Sequence, residues 1–160
     1  MKQYFLNLLT ELRNFQDPPE LQPPAPPEAI EQLIHRAAEQ LNYTPPAFYL
    51  DLLRITDGLA RNGIQLYGSY SAKIAGIETR ESYLLGLVEA NILWRDYEPN
   101  KEYVYLAETG GVLYCHNLVT NKFEIVDRIT NETDDEADIF DTCEQLMDKI
   151  LNHMLNRYGV

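Results

Sequence analysis

Six prolines stand between Pro18 and Pro27. Proline fixes φ and has no backbone N–H, so neither a helix interior nor a central strand can run through such a stretch. The chain is therefore divided in two, with residues 1–27 as an N-terminal helix and proline-rich arm and residues 28–160 as the main domain. Before the prolines, Phe5, Leu8, Leu9 and Leu12 recur at helical spacing opposite Asn7, Glu11 and Asn14, which predicts an amphipathic helix. The arm itself reads as a stiff, extended spacer. A ligand for an aromatic groove is the other use of such a segment, but no basic residue flanks it to orient docking.

Beyond the arm, Ile30, Leu33, Ile34, Ala37 and Leu41 share one face of a helix over about 28–41. A third helix is expected after Thr44-Pro45-Pro46, with Thr44 as N-cap, Pro45 at the first position and Gly58 past the end. Asp57-Gly58 and Asn62-Gly63 mark turns on either side of Leu59-Ala60-Arg61, and Ile64 to Tyr67 alternates as a short strand ending at Gly68. A fourth helix, capped by Thr79 or Ser82, places Leu84, Leu87, Val88, Asn91 and Trp94 on one side. Three strands follow, over 102–107, 112–116 and 122–126, with tight turns between them, the pattern of an antiparallel meander. The last helix runs from Asp138 as N-cap to Gly159, with Ile139, Cys143, Leu146, Met147, Ile150, Met154 and Tyr158 on its apolar face. The fold class is α+β, an antiparallel sheet flanked by helices.

Charge narrows the function. With 25 acidic against 13 basic residues the net charge is −12. Such a chain lacks the basic stripe that neutralises phosphates, so direct nucleic-acid binding is not expected, and an anionic membrane surface would repel it. Its electrostatic complement is a basic protein. No apolar run approaches the ~20 residues of a membrane span, and Met1 to Phe15 does not read as a signal peptide. Cys115 and Cys143 fall among apolar neighbours with no metal-ligand spacing, the pattern of buried thiols in a reducing cytoplasm.

No catalytic arrangement stands out, and no metal or other cofactor is expected. His35, His116 and His153 sit on separate elements, with His35 and His153 on polar flanks of their helices and His116 facing away from Cys115. Gly110-Gly111 is a turn, since no phosphate-loop pattern surrounds it. Two biases remain. Between Asp127 and Asp148 lie nine carboxylates opposed only by Arg128, among them Asp134, Asp135, Glu136 and Asp138. They read either as a solvated loop with acids at a helix start, or as a negative surface that steers a basic partner. An EF-hand calcium loop is disfavoured, because its glycine and terminal glutamate are missing. The second bias is tyrosine, 11 in all, several at turns, where a large contact area with a polar tip suits an interface.

The order of motifs resembles the SUKH superfamily. Thr44-Pro45-Pro46-Ala47-Phe48-Tyr49 through Leu52-Leu53-Arg54-Ile55-Thr56-Asp57-Gly58 is similar to its proline–helix–(N/D)G signature, and Leu66-Tyr67-Gly68 to the Tyr-Gly strand end of its YrhA-like branch. Glu89-Ala90-Asn91, Trp94-Arg95, Tyr105-Leu106-Ala107-Glu108, Val112-Leu113-Tyr114, Phe123-Glu124-Ile125-Val126-Asp127 and Ile139-Phe140 continue it across residues 28–158. The loop after Asp57-Gly58 lacks the extra glycine often found there. The resemblance implies a non-enzymatic domain, in many bacterial members an immunity protein that neutralises a cognate toxin and in eukaryotic relatives a regulatory interaction module. It carries no catalytic set to transfer.

The expected function is thus a cytoplasmic immunity protein that binds a toxin with a basic cleft, such as a nuclease. On charge and exposure, Asp134, Asp135, Glu136 and Asp138 steer association, while Tyr67, Tyr70 and Trp94 supply anchors. A regulatory or adaptor module without a toxin partner is the first rival. A hydrolase or small-ligand binder, with convergent carboxylates such as Glu89 and Glu108, is the second.

Overall fold

The computed structural model describes residues 1–14, 20–73, 83–133 and 135–157. Five helices surround an antiparallel sheet, an α+β architecture: α1 (Gln3–Arg13), α2 (Pro27–Leu41), α3 (Ala47–Leu53), α4 (Leu87–Trp94) and α5 (Cys143–Met154). The sheet order is β1 (Glu20–Leu21), β2 (Leu59–Arg61), β3 (Ile64–Leu66), β6 (Tyr103–Glu108), β7 (Val112–Asn117), β8 (Lys122–Asp127) and β9 (Ile139–Phe140). A separate two-stranded ribbon joins β4 (Ala72–Lys73) to β5 (Tyr83–Leu84). The predicted meander is present as β6–β7–β8, with residue-for-residue register between β7 and β8.

The N-terminal piece is less separate than the proline run suggests. Phe5, Leu8, Leu9 and Leu12 are buried in the same core as the sheet residues Leu66, Val104 and Leu113. Around that contact Tyr4 donates to Asp148, and Lys2 and Arg157 pair with Glu144 and Glu11. The described part of the arm lies along the sheet edge. Leu21 pairs with Leu59, Asp57 N–H donates to the Pro23 carbonyl, and Ala25 N–H donates to the Leu53 carbonyl. At a sheet edge, prolines next to a strand cost no ladder bond.

Four helix boundaries, on three helices, differ from the sequence reading. Helix α3 stops at Leu53, well before Gly58. There Thr56 is buried; its hydroxyl donates to the Gly58 carbonyl and accepts from Gln22 N–H, which draws the chain off the helix axis. Its N-cap position is Pro46 rather than Thr44. Helix α4 starts at Leu87 after Gly86, and the expected caps Thr79 and Ser82 lie outside the described residues. Helix α5 starts after Thr142, not Asp138. Thr142 accepts from Gln145 N–H while the Gln145 side chain reaches back, a complete capping box. Asp138 instead closes a 3-10 turn, Glu136–Asp138, ahead of β9. Tyr158 and Gly159 are not among the described residues. Between Asp57 and Tyr67, Leu59–Arg61 proves to be a strand, joined to β3 through Asn62-Gly63 with φ of 52° and 76°. Two successive positive φ values make the tight hairpin turn that Asn-Gly favours.

A chain crossing holds the middle of the molecule together. The Asp57 carboxylate accepts from Ser69 N–H at 2.6 Å and from its hydroxyl at 2.7 Å, and Tyr49 donates its hydroxyl to the Tyr67 carbonyl at 2.5 Å. Gly68 N–H donates to Leu85 O, and Leu87 N–H donates to Gly68 O. The backbones approach so closely that a Cβ on Gly86 would collide with the Tyr70 backbone, and one on Gly68 would lie 2.8 Å from the Asp57 carbonyl. The residues of the Asp57-Gly58 and Tyr67-Gly68 motifs thus have a structural task, seating α3, β3 and α4 on one another.

Candidate functional site

Below the end of α4 lies a half-buried polar and aromatic network. Trp94 Nε1 donates to the Tyr67 hydroxyl at 3.0 Å, and that hydroxyl is also hydrogen-bonded to Glu108. Burial raises the Tyr67 phenol above its ordinary range, with the Glu108 charge adding to the effect. Burial likewise pushes the Glu108 carboxyl up, while Arg128 and the Tyr67 hydroxyl pull it back. Arg128 lies 3.3 Å from Glu108, donates to the Thr109 carbonyl at 2.6 Å and stacks over the Trp94 ring, 4.7 Å from its centroid. That cation–π placement covers the indole with a charge the network already holds.

Two fasteners tie the following loop to this network. Arg128 is the first. Asn131, in the left-handed region at φ 57°, is the second; it accepts from the Tyr105 hydroxyl and donates to Asn100, whose own amide donates to the Trp94 carbonyl at 2.7 Å. The turn is further set by Asp127, whose Oδ1 accepts from Ile129 N–H at 2.8 Å and Thr130 N–H at 2.9 Å. Those backbone bonds hold the Asp127 carboxyl below its usual range. Ile129 stands at the tip of this ordered turn, 92% exposed.

The residues named from sequence separate into distinct places. Tyr67 is wholly buried and its hydroxyl is engaged by Trp94 and Glu108, so it supports the surface from below and cannot anchor a partner. The reason is its register: Tyr67 follows β3 into the crossing, where its N–H donates to Leu106 O at the β6 bulge. Trp94 is half-buried under Arg128. Tyr70 is 54% exposed beside the start of α4. Asp135 and Glu136 are exposed, Asp138 is half-buried, and Asp134 lies outside the described residues. Asp135 Oδ1 accepts from Ala137 N–H, part of the 3-10 turn that carries the acids. Sequence reasoning missed Leu93 and Ile129, and counted Tyr97 among the turn tyrosines without choosing it as an anchor; Leu93 is 69% and Tyr97 65% exposed. For Leu93 the signal was present: the helix Leu87–Trp94 is apolar nearly all round, which a helix with one solvent face is not.

The other candidates have defined places too. Glu89 pairs with Arg36 of α2 at 2.5 Å and Glu108 with Arg128, so the two carboxylates serve different partners. A cleft of about 460 Å³ between α2 and α4 is lined by Glu39, Asn42, Ile92, Arg95, Asp96 and Lys101. Arg95 donates its Nη groups to the Leu41 and Lys101 carbonyls while its Nε is buried without a partner among the described residues, and Lys101 pairs with Glu98. Cys115 and Cys143 are buried free thiols, the latter pushed up to about 12 by burial. His116 accepts or donates between Tyr43 and Asn121, both at 2.8 Å, and stacks on Phe123. His35 is exposed beside Glu39, whereas His153 is half-buried with Tyr114 at 3.4 Å. Among the described residues no group of three or more His, Cys, Asp or Glu could hold a metal ion, and no helix is long and apolar enough to cross a membrane. Compared with known proteins, the chain matches no family model and no curated protein.

Proposed function

We propose that this chain is a cytoplasmic immunity protein of the SUKH type, which acts by binding and blocking a cognate toxin rather than by catalysis. The observation that carries the reading is the pairing of large exposed apolar side chains with a rigid, acid-rich turn. Leu93 and Ile129 are exposed chain neighbours of the stacked Trp94 and Arg128, Tyr97 is exposed three residues after Trp94, and Asp135 and Glu136 follow the turn in sequence. Burying such side chains supplies affinity, and surplus negative charge speeds encounter with a basic surface. A toxin domain that handles nucleic acid has a cationic cleft of that kind. The motif order noted in the sequence supports the same assignment.

The test is capture followed by rescue. The tagged protein is used as bait in a lysate of the organism that makes it, and the gene for a stoichiometric partner is expressed with and without the protein. A partner that arrests growth alone and is silenced by co-expression is the expected result. A set of housekeeping partners, none toxic, favours the regulatory-adaptor reading and overturns the immunity one.

A further inference from the structure

We infer that the partner docks on the C-terminal end of α4 together with the Asp127–Glu132 turn, and that this face takes a protein surface with an apolar centre and a rim of Lys and Arg. The inference rests on the binding function above and deepens it by naming the surface and the chemistry of its occupant.

Three observations converge. Helix α4 turns Leu87, Val88, Ala90 and Asn91 into the core, yet its outward positions include Ile92 and Leu93, where a solvated face carries polar residues. Second, the turn that presents Ile129 is fixed by Asp127, Arg128 and Asn131, each bonded back to the frame. A surface held in one conformation loses little conformational freedom on binding, which is how a small exposed patch becomes an effective contact. Third, Arg128 is paired with Glu108 and Lys101 with Glu98, while Arg95 donates to two carbonyls. Asp96 on the α4 side and Glu132, Asp135 and Glu136 on the side of the turn are all exposed.

Charge then selects the occupant. A second copy of a chain with net charge −12 would bring these carboxylates against their own kind. A basic protein surface meets them with opposite sign while its apolar centre covers Leu93, Tyr97 and Ile129.

The probe is a phage-displayed library of random peptides selected on the intact immobilised protein. Enriched sequences should combine Lys or Arg with aliphatic or aromatic residues. Their binding should weaken at least about tenfold in the Leu93→Asp/Ile129→Asp variant and stay unchanged in Val119→Asp, an exposed apolar site at the turn after β7. It should also weaken as salt rises from about 0.05 to 0.5 M. Leu93→Ser/Ile129→Ser replaces the Asp pair if that variant fails to melt cooperatively. No enrichment, enrichment without basic residues, or equal binding by the double variant overturns the surface. Peptides that map to this face, from a protein that rescues no toxin, leave the surface standing and remove the immunity reading. Rescue that the double variant matches in full does the reverse.

Discussion

Tyr67 and Tyr70 are three residues apart and chemically identical, yet one is wholly buried and the other more than half exposed. Around Tyr67 the crossing of β3 and α4 is closed, with its hydroxyl, carbonyl and N–H bonded to Trp94, Tyr49 and Leu106. Above it, at the end of α4 and the Asp127–Glu132 turn, Arg128, Asn131 and Asn100 are bonded back to the frame but the apolar side chains face water. The contrast teaches that hydrogen bonding builds the frame in both regions. What separates the two is where apolar area is left uncovered.

The comparison breaks first if the closed region is not one body with the N-terminal helix. Removing residues 1–14 takes out Phe5, Leu8, Leu9 and Leu12, four buried side chains each worth about 1.5–3 kcal/mol. Their sum is comparable with the whole stability of about 5–15 kcal/mol typical of a domain. We expect no cooperative urea transition; an unchanged midpoint would make α1 the appendage that the proline run suggested. Next in size, Gly86→Ala drives a methyl into the Tyr70 backbone at the crossing. It should cost about 2–3 kcal/mol in the same measurement.

Tyr67→Phe probes the seam between the two regions. It leaves the half-buried Trp94 N–H without its acceptor and removes a partner from Glu108, for a loss of about 1–2 kcal/mol. Trp94 fluorescence should shift with it, since the indole sits on this bond and under Arg128. A variant identical to the parent in both readouts would mean that the network does not support the surface.

The smallest effect is in pH. Burial lowers His116 and His153 below the ordinary value of 6.5, so the unfolded chain binds more protons there and stability should rise with pH up to about 6.5. Glu108 acts with the opposite sign. Its raised carboxyl contributes stability that is full below 4.5 and is lost as pH rises through its folded value. Stability followed from about pH 5 to pH 7 should therefore climb less steeply in His116→Gln than in the parent. Equal slopes would show that the Tyr43–His116–Asn121 chain does not titrate with folding.

Much of the frame was legible in the sequence because it is periodic or punctuated. The meander, α1, α2 and the apolar face of α5 follow from spacing alone. The errors fall where a side chain overrides the pattern. Thr56 ends α3 early through one local hydrogen bond, to the Gly58 carbonyl, and one from the distant Gln22 N–H, and pairing of Ile139 and Phe140 with β8 displaces the start of α5. The capping box Thr142…Gln145 could have been read, but a nearer aspartate competed for it. The surface was harder. The acidic stretch and Trp94 were visible as composition, but nothing in spacing shows that Arg128 and Asn131 fasten one to the other, or that Tyr67 lies beneath rather than beside them.

The most direct test of the account is growth rescue measured side by side for the parent and for Leu93→Asp/Ile129→Asp, against the toxin recovered with the parent as bait. The account predicts that the parent protects and that the variant, folded and equally abundant, does not. Equal protection by both would contradict the assignment of the α4 end and its acidic turn as the surface through which this protein acts.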